Sequence, residues 1–417
     1  MLDERTTEQL DLRGGRTPWV GGFQRLPRQE LQSDLRCDVL VVGAGITGAL
    51  VAEHLTRSGH DVVIVDRERP GHGSTAASTA MLLWEIDRSL SELAELYGFD
   101  RAAAIYRRSL EAMRGIAALI EHLALACDFG RRDALYLASP DNGEGTLLAE
   151  HRLRSRAGLP GRFLDFPELL GEYGFARQAA LLSPDAAEAD PLRLAQGLLR
   201  VALARGARLF DAEAIAYDCA SRAVGTATDS GHCIEASHVV LSTGYVMPDF
   251  VTSDLHKIVS SFAIATPPQP QASLWRGRAL IWEAAKNYLY ARTTADDRII
   301  VGGEDDENAV APEARDALMP EKAEAILRRF EALKPDTDMS ADFIWSGAFG
   351  TTADGLPLIG RVPHHPGICA AYGYGGNGIT FSYLAAQMIG EIIAGRERAW
   401  FDDFAIDRDV PKYVDAL

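Results

Sequence analysis

The chain has 417 residues, of which 47% are hydrophobic, so it is long enough to bury a large core in about two or three domains. Its formal net charge of −17 argues against a nucleic acid or an anionic membrane as a partner. No stretch approaches the ~20 apolar residues of a transmembrane helix. The first 35 residues are polar, with no cationic start before an apolar core. We therefore expect a cytoplasmic protein without a transmembrane segment or a secretory signal.

The cysteines and histidines show no metal-ligand spacing. The five cysteines are scattered without a CxxC pair, and the ten histidines include no HxxxH pair. We expect reduced cysteines and no metal site. Residues 1–36, which contain Pro18, Trp19 and Pro27, are irregular and are expected to form a strap across the surface.

A glycine-rich turn at residues 43–48, here called the front turn, follows the first strongly apolar run. Gly43 permits a tight turn, Gly45 lets backbone approach a pyrophosphate, and Gly48 lets the next helix pack close to the sheet. A second apolar run ends on Asp66, eighteen residues after Gly48, where it can accept hydrogen bonds from ribose hydroxyls. This unit predicts an adenine-dinucleotide site and leaves open whether the dinucleotide is FAD or NAD.

The region 88–180 has a different character and is expected to form a separate layer. Apolar residues recur at helical spacing over 102–123, and Asp100 is placed to cap the start of that helix. Residues 134–138 resemble a short strand, and 144–157 resemble a charged helix. Nothing in this region indicates nucleotide binding.

An α/β pattern returns after Pro191. A helix over 192–205 precedes a short strand, and a later buried strand ends in the small-residue turn at Thr243 and Gly244. Four sheet-like segments between 260 and 302 are separated by tight turns, which favours an antiparallel sheet, and a helix over 321–333 closes this block.

A second glycine-rich turn at residues 373–378, here called the rear turn, lies between a predicted strand and a helix that starts near Ile379. Its four glycines expose backbone N–H groups and permit a flat group to lie close by. A reduced flavin develops negative charge around its N1 and C2 carbonyl, which a helix N-terminus stabilises. A plain glycine-rich connector is the alternative interpretation.

Taken together, the motifs resemble the FAD-dependent D-amino-acid oxidase superfamily, nearest the branch that holds glycine oxidase, sarcosine oxidase and γ-glutamylputrescine oxidoreductase. The resemblance covers about residues 36–400 through GAGITG, the acid at 66, GHGSTAAS, the turn at 242–244, DGLPLIG and GYGGNGITFS. It implies FAD rather than NAD. The implied α/β fold has a Rossmann-like FAD-binding domain and an interleaved α+β substrate domain on a mixed, mostly antiparallel sheet. The expected segments are 37–87, 183–258 and 343–417 for FAD binding, and 88–182 and 259–342 for the substrate domain.

The resemblance also implies roles for individual residues. The ADP part would be held by Gly43, Gly45, Ile46, Thr47, Gly48, Asp66 and Arg67. Ser74 and Thr75 would follow the pyrophosphate towards the isoalloxazine, and Thr243 and Gly244 would border the cofactor. The flavin pyrimidine ring would lie over Gly375, Gly376, Asn377, Gly378 and Thr380.

Relatives with covalent flavin carry a cysteine or histidine at defined places, and this chain has Ala77 or Gly376 near them. We therefore expect noncovalent FAD. His72 is the nearest histidine and is interpreted as a solvent-facing loop residue. Many relatives read GRNGG where this chain has residues 76–80, so flavin contacts there are not carried over.

The implied reaction is hydride transfer to flavin N5 from the carbon bonded to a neutral amine, which leaves an imine that water hydrolyses. The substrate would be a small amine or amino acid, and the electron acceptor would be O2 or an unknown carrier. Strand alternation places Tyr288, Tyr290 and Arg292 on one face, where Arg292 could clamp a substrate carboxylate. The alternative is that this face packs or is solvated. Trp282 could line the pocket or the core, and the core is favoured.

Three other functions stay open at this point. The chain could be a flavin-dependent dehydrogenase of another small molecule, or a catalytically silent dinucleotide-binding protein. A tRNA-modifying flavoenzyme is the third, and the strongly acidic charge argues against it.

Overall fold

The computed structural model describes residues 12–20, 26–27, 29–219 and 223–411. The rest of the predicted strap, and the final six residues of the expected segment 343–417, lie outside the described residues. None of the described helices is both long and apolar enough to cross a bilayer.

The strands are β1 (Arg13–Gly15), β2 (Gln29–Glu30), β3 (Leu35–Val42), β4 (Val62–Asp66), β5 (Met81–Leu82), β6 (Gly130–Leu137), β7 (Arg162–Asp165), β8 (Ala179–Glu188), β9 (Arg208–Asp211), β10 (Ala214–Asp218), β11 (Val224–Thr228), β12 (Cys233–Leu241), β13 (His256–Ala265), β14 (Leu280–Glu283), β15 (Leu289–Thr293), β16 (Ile299–Asp306), β17 (Phe343–Thr352), β18 (Leu358–Arg361) and β19 (Ile368–Tyr372). The helices are α1 (Ile46–Arg57), α2 (Ser74–Ala77), α3 (Leu90–Tyr97), α4 (Phe99–His122), α5 (Glu144–Arg156), α6 (Phe166–Tyr173), α7 (Pro191–Ala204), α8 (Pro312–Leu333) and α9 (Gly378–Ile393).

The first sheet is largely parallel and has the order β10-β11-β12-β3-β4-β9-β2, with β19 paired to β12 and β18 paired to β19. Its central strands β12, β3, β4 and β9 run parallel to one another. The apolar stretches of β3 and β4 are fully buried, as expected for strands covered on both faces. Helix α1 packs against both α7 and α9. This arrangement brings the end of β3, the start of α1 and the end of β4 to one edge of the sheet.

The second sheet has the order β1-β17-β13-β16-β15-β14-β6-β8-β5, with β7 paired to β8. The pairing of β14 with β6 is parallel. The pairings of β13, β15, β16 and β17 are antiparallel, as the tight turns between the sequence segments predicted. Helix α8 packs on this sheet against β13, β16 and β17. The expected mixed, mostly antiparallel second sheet is therefore confirmed.

The strand pairings differ from the expected segments at two places. Strand β17 falls in the segment 343–417, yet it pairs with β13 along its whole length. Strand β8 crosses the expected boundary at 182, because its residues pair with β6 on both sides of that position. The five-segment division stays a prediction, and the pairings place β17 with the antiparallel sheet.

The start of the long helix also differs from the expectation. Helix α4 begins at Phe99, with Gly98 as the preceding residue, so Asp100 lies in the first turn instead of capping it. Gly98 has a φ of 79°, which lets α4 follow α3 without a longer connection. The sequence pattern did not show the separate helix α3, whose own cap is Ser89.

Candidate active site

A cavity of about 770 Å³ is lined by residues of both sheets and by both glycine turns. This volume lies within the usual range of small-molecule and cofactor sites. The wall includes the front turn, the end of β4, the loop before α2, the turn after β12 and the rear turn. The sequence motifs that lie far apart in the chain therefore meet at one concave surface.

The front turn has the backbone geometry that its glycines predicted. Gly43 follows β3 with a φ of 102°, a conformation that L side chains rarely adopt. Gly48 is buried, and a Cβ there would overlap the carbonyl oxygen of Gly43. Gly45 is the residue before α1 and has no side chain that could cap the helix. The positive end of α1 therefore faces the cavity, which is the arrangement that binds a phosphate.

Asp66 binds the front turn directly. Its carboxylate accepts a hydrogen bond of 2.6 Å from the backbone N–H of Ala44, and another from Glu68 N–H. Arg67 also lines the cavity and lies 3.6 Å from the Glu213 carboxylate. A carboxylate oxygen can accept more than one hydrogen bond, so Asp66 can still receive a ribose hydroxyl.

The loop after β4 closes over the start of α1. Thr75 Oγ1 accepts a hydrogen bond of 2.9 Å from Ile46 N–H, and both residues line the cavity. Ser74, Thr243 and Gly244 line the cavity as well. The sequence pattern predicts a loop over residues 74–77, whereas in the structure these residues form the single helical turn α2.

The rear turn touches the front turn. The Tyr374 hydroxyl donates its proton to Ala371 O at 2.7 Å and lies 3.1 Å from Thr47 Oγ1, and Thr47 Oγ1 is 2.8 Å from the Ser382 hydroxyl in α9. The two turns are thus joined by side-chain hydrogen bonds that span more than 300 residues of sequence. Helix α9 has no acidic residue in its first turn.

A carboxylate that the sequence did not single out lies on the rear turn. Asp87 accepts a hydrogen bond of 2.8 Å from Gly376 N–H, and it lines the cavity. Burial of the surrounding site raises the pKa of Asp87 to about 6, while the Gly376 N–H lowers it and the charge of Asp305 raises it further. Asp87 is exposed to solvent where it borders this open cavity.

Two residues expected under a flavin have structural roles. Thr380 is buried and donates its hydroxyl proton to Leu83 O at 2.8 Å, and it does not line the cavity. Asn377 lines the cavity, but its side-chain amide donates to the backbone carbonyls of Leu83 and Glu85. Gly375, Gly376 and Gly378 line the cavity as expected. Asn377 and Thr380 therefore fix the segment that leads to Asp87.

Beyond the rear turn, one part of the cavity is walled by aromatic rings, and we call it the aromatic end. Tyr288 and Tyr290 both line it, with ring centroids 6.0 Å apart. Trp282 pairs with Tyr290 across β14 and β15, lines the cavity and also packs against a small buried apolar cluster, so it belongs to both the pocket wall and the core. Tyr136 stacks on Trp282 with ring centroids 4.0 Å apart. The aromatic end is formed by Asp87, Tyr245, Trp282, Tyr288, Tyr290 and Phe349.

Arg292 does not lie in the cavity wall, and the structure does not support its expected role as a carboxylate clamp. Its side chain is 2% exposed, and its guanidinium donates to the carbonyls of Thr79, Ala189 and Thr293. It also lies 3.6 Å from the Glu188 carboxylate. Arg292 lies on the same side of β15 as Tyr290. Next to Arg292, however, that side of the strand is occupied by the backbone of Thr79 and Ala189 and does not open to the cavity. The guanidinium N–H groups are therefore committed to the backbone.

His72 also differs from its interpretation. The side chain is only 2% exposed rather than solvent-facing, because Arg13 in β1 packs over it and donates to its carbonyl oxygen. Among the residues that the structure describes, no cysteine or histidine lines the cavity.

Asp87 and Tyr245 are the functional candidates that sequence reasoning missed. Asp87 lies on an irregular segment 289 residues before its partner Gly376, so no local spacing connects them. Tyr245 follows the predicted turn at Thr243 directly, and that position was the available signal. Burial raises the pKa of Tyr245 to about 12, and the charge of Asp87 contributes in the same direction.

The residues present fit an adenine dinucleotide that carries a flat ring at its far end. The front turn offers a helix N-terminus beside the acceptor Asp66, and the Cβ-free positions Gly43 and Gly48 allow the backbone to pass closely. The rear turn offers a second helix N-terminus at the same cavity. Both turns line the same cavity, which is what one bound FAD requires.

Comparison with known proteins agrees with this geometry. A curated relative, γ-glutamylputrescine oxidoreductase of Escherichia coli K12, is 28% identical over 398 residues, which cover 93% of this chain and 89% of that protein. Glycine oxidase of Geobacillus kaustophilus is 25% identical over 90% of this chain and 98% of that protein.

Solved structures show the same fold at lower identity. A crystal structure of glycine oxidase from Geobacillus kaustophilus matches with a TM-score of 0.74 at 22% identity, covering 90% of this chain and 99% of that chain. L-Amino acid deaminase from Proteus vulgaris matches with a TM-score of 0.74 at 16% identity, covering 93% and 100%. The expected Rossmann-like FAD-binding fold is confirmed by these matches. A family model described as FAD dependent oxidoreductase matches residues 38–392, and the chain belongs to this family.

Proposed function

We propose that the protein oxidises a C–N bond of a small amine or amino acid with FAD. The observation that supports this most strongly is the single cavity that joins the front turn, the rear turn and the aromatic end. Two relatives are a γ-glutamylputrescine oxidoreductase and a glycine oxidase, and their names indicate an amine or amino-acid substrate. The fold alone would leave the substrate open.

When bound, FAD would supply a two-electron acceptor: the carbon bonded to a neutral amine would lose a hydride to the flavin and the nitrogen would lose a proton, which would leave an imine. Water then adds to the imine, giving a carbonyl compound and ammonia or the smaller amine. The two electrons pass on to dioxygen or to a separate electron carrier. No protein nucleophile is needed for this sequence of bond changes.

The residues of this chain would bind and orient the reactants. The ADP part would be held by Gly43, Gly45, Ile46, Thr47, Gly48, Asp66, Arg67, Ser74 and Thr75, and the ring by Thr243, Gly244, Gly375, Gly376 and Gly378. Tyr288 and Tyr290 would form the substrate-side wall and exclude water from the reacting carbon. Arg292 would act as a positioning residue, because it holds Thr79 O and Ala189 O.

We further propose that FAD is bound without a covalent link. The support is chemical: the described part of the cavity wall has neither a thiol nor an imidazole to attack the flavin. Precipitation of the yellow protein with acid should release the flavin into the supernatant. Colour that stays with the pellet would contradict noncovalent binding.

The first experiment is a visible absorption spectrum of the purified protein, followed by anaerobic mixing with a panel of amines and amino acids. Oxidised flavin bands, and their bleaching by at least one panel member, are expected. A colourless protein that binds NAD would contradict the cofactor assignment. A yellow protein that no amine or amino acid bleaches would indicate a silent flavin-binding protein or an enzyme for another substrate class.

A further inference from the structure

We propose that the aromatic end binds the protonated form of an amine whose reacting carbon carries no carboxylate, with the cation between Asp87 and the surrounding aromatic rings. The bound ammonium group loses one proton to solvent before the carbon gives up its hydride. This inference rests on the proposed C–N oxidation and specifies its substrate class. It departs from the carboxylate clamp that the sequence predicted at Arg292.

The charges of the wall support a cation. Among the described residues that line the cavity, Arg67 is the single basic side chain, and it lies at the nucleotide end beside Asp66 and Glu213. Acidic side chains line the same cavity at six positions: Asp66, Glu68, Glu85, Asp87, Glu213 and Asp249. Three of these lie at the nucleotide end, and Glu85 is paired with Arg154 at 3.8 Å, so Asp87 is the acid that acts at the aromatic end. A substrate carboxylate beside Asp87 would thus meet a like charge and no described counter-charge.

The hydrogen-bond donors point to the same conclusion. Tyr288 donates its hydroxyl proton to Asp305 Oδ2 at 2.7 Å, so that proton is committed away from a substrate anion. Arg292, which a carboxylate would need, is bound to three backbone carbonyls outside the cavity wall. Trp282 Nε1–H is buried without a partner and could donate one hydrogen bond, but it is a neutral donor. A carboxylate taken out of water into this site would therefore lose hydration without meeting a described positive charge.

The aromatic rings provide the second half of a cation site. Tyr245, Trp282, Tyr288 and Tyr290 line the cavity together with Asp87. Aromatic faces attract ammonium groups, and a carboxylate among them adds a direct charge interaction. Burial raises the pKa of Tyr288 well above its ordinary value, and the charges of Asp305 and Asp87 add to this, so both acids act on the same small volume. A bound cation would relieve that concentration of negative charge.

The test of substrate class uses amine and amino-acid pairs that differ only in the carboxylate: ethylamine and alanine, isobutylamine and valine, 1,5-diaminopentane and lysine. Each is mixed anaerobically with the FAD-loaded protein, and the rate of flavin bleaching is measured. We expect each amine that reacts to do so at least about tenfold faster than its partner. Equal or faster bleaching by the amino acids would overturn the inference while leaving the proposed function intact.

A second measurement uses probes that cannot be oxidised, so it reads binding apart from turnover. Tetramethylammonium should perturb the flavin absorption spectrum of the FAD-loaded protein, whereas acetate should not. Asp87→Asn should weaken tetramethylammonium binding at least about tenfold, because it removes the charge and keeps the shape. The surface substitution Glu121→Gln changes the net charge equally and should leave binding unchanged, since Glu121 pairs with Arg131 away from the cavity.

Two substitutions, Trp282→Leu and Trp282→Phe, test the cation site independently of Asp87, in case Asp87→Asn fails to retain FAD. The leucine variant should lose tetramethylammonium affinity and the phenylalanine variant should retain most of it, because only the latter keeps an aromatic face. Equal affinity in both would overturn the cation site. If no panel member bleaches the flavin, the proposed function fails. In that case, tetramethylammonium binding that depends on Asp87 and Trp282 would still support the cation site. If tetramethylammonium does not bind, the cation site is overturned as well.

Discussion

The front and rear turns share one feature, a backbone N–H that donates to a carboxylate. They differ in how far that carboxylate lies from the turn in the sequence. In each turn a carboxylate accepts a hydrogen bond from a backbone N–H: Asp66 from Ala44 at 2.6 Å, and Asp87 from Gly376 at 2.8 Å. Asp66 ends the strand next to its turn, so its spacing from Gly48 predicted it. Asp87 comes from a segment almost 300 residues away. The nucleotide end is thus a local motif, whereas the aromatic end is assembled by tertiary structure.

The largest expected effect tests the support behind the aromatic end. Arg292→Met should lower the free energy of unfolding by about 3–5 kcal/mol, because it leaves the buried carbonyls of Thr79 and Ala189 without their donor and leaves the buried Glu188 carboxylate with Arg132 as its remaining cation. Denaturant unfolding of the FAD-loaded protein measures this. Arg114→Met is the control, since Arg114 pairs with Asp185 at the surface, and its loss should stay below about 1 kcal/mol.

The same variant separates positioning from a carboxylate clamp. If Arg292→Met retains its unfolding free energy but selectively loses reaction with amino acids, the clamp is restored and the positioning role is wrong. If it loses stability and its remaining activity keeps the ratio of amine to amino-acid rates, the positioning role is supported.

The second prediction contrasts one glycine from each turn. A Cβ at Gly48 would overlap the carbonyl of Gly43, whereas a Cβ at Gly378 would meet only the Tyr374 Cβ at 3.9 Å. Gly48→Ala should therefore lower the unfolding free energy by about 1–3 kcal/mol and reduce FAD content. Gly378 is the first residue of α9 and has ordinary helical dihedral angles. Gly378→Ala should therefore leave the unfolding free energy unchanged or raise it by up to about 1 kcal/mol. Flavin absorbance per protein and thermal unfolding measure both, and equal losses would show that the turns are packed alike.

The sequence predicted what local geometry controls and missed what distant packing controls. The front turn, β19 and the start of α9 were predicted closely, because glycines and apolar runs set the backbone there. The alternation of β15 placed Tyr290 and Arg292 on one side of the strand, but it could not show that Thr79 and Ala189 cover Arg292. The position of Trp282 in the pocket wall could not be predicted either, because it depends on how the neighbouring strands pack and whether they leave a cavity beside the ring.

The third prediction compares the two acids directly. Asp66→Asn should weaken FAD binding by about 1–3 kcal/mol, because an amide accepts fewer hydrogen bonds from the ribose and from Ala44 N–H. Asp87→Asn should change FAD affinity by less than about tenfold, since its expected partner is the substrate cation. Titration of the apoprotein with FAD, followed by flavin fluorescence, decides this. An Asp87→Asn loss as large as that of Asp66→Asn would assign both acids to cofactor binding.

The smallest expected effect is a pH dependence at the aromatic end. Because the pKa of Asp87 is raised to about 6, its carboxyl group is neutral below that pH and charged above it. Tetramethylammonium does not titrate, so its affinity for the FAD-loaded protein should rise about tenfold between pH 5 and pH 7 as Asp87 ionises. Burial also raises the pKa of Asp305 and Glu85, which makes them the competing sources of such a rise. Asp87→Asn distinguishes them: a flat profile in this variant assigns the titration to Asp87, and a rise that persists assigns it to Asp305 or Glu85.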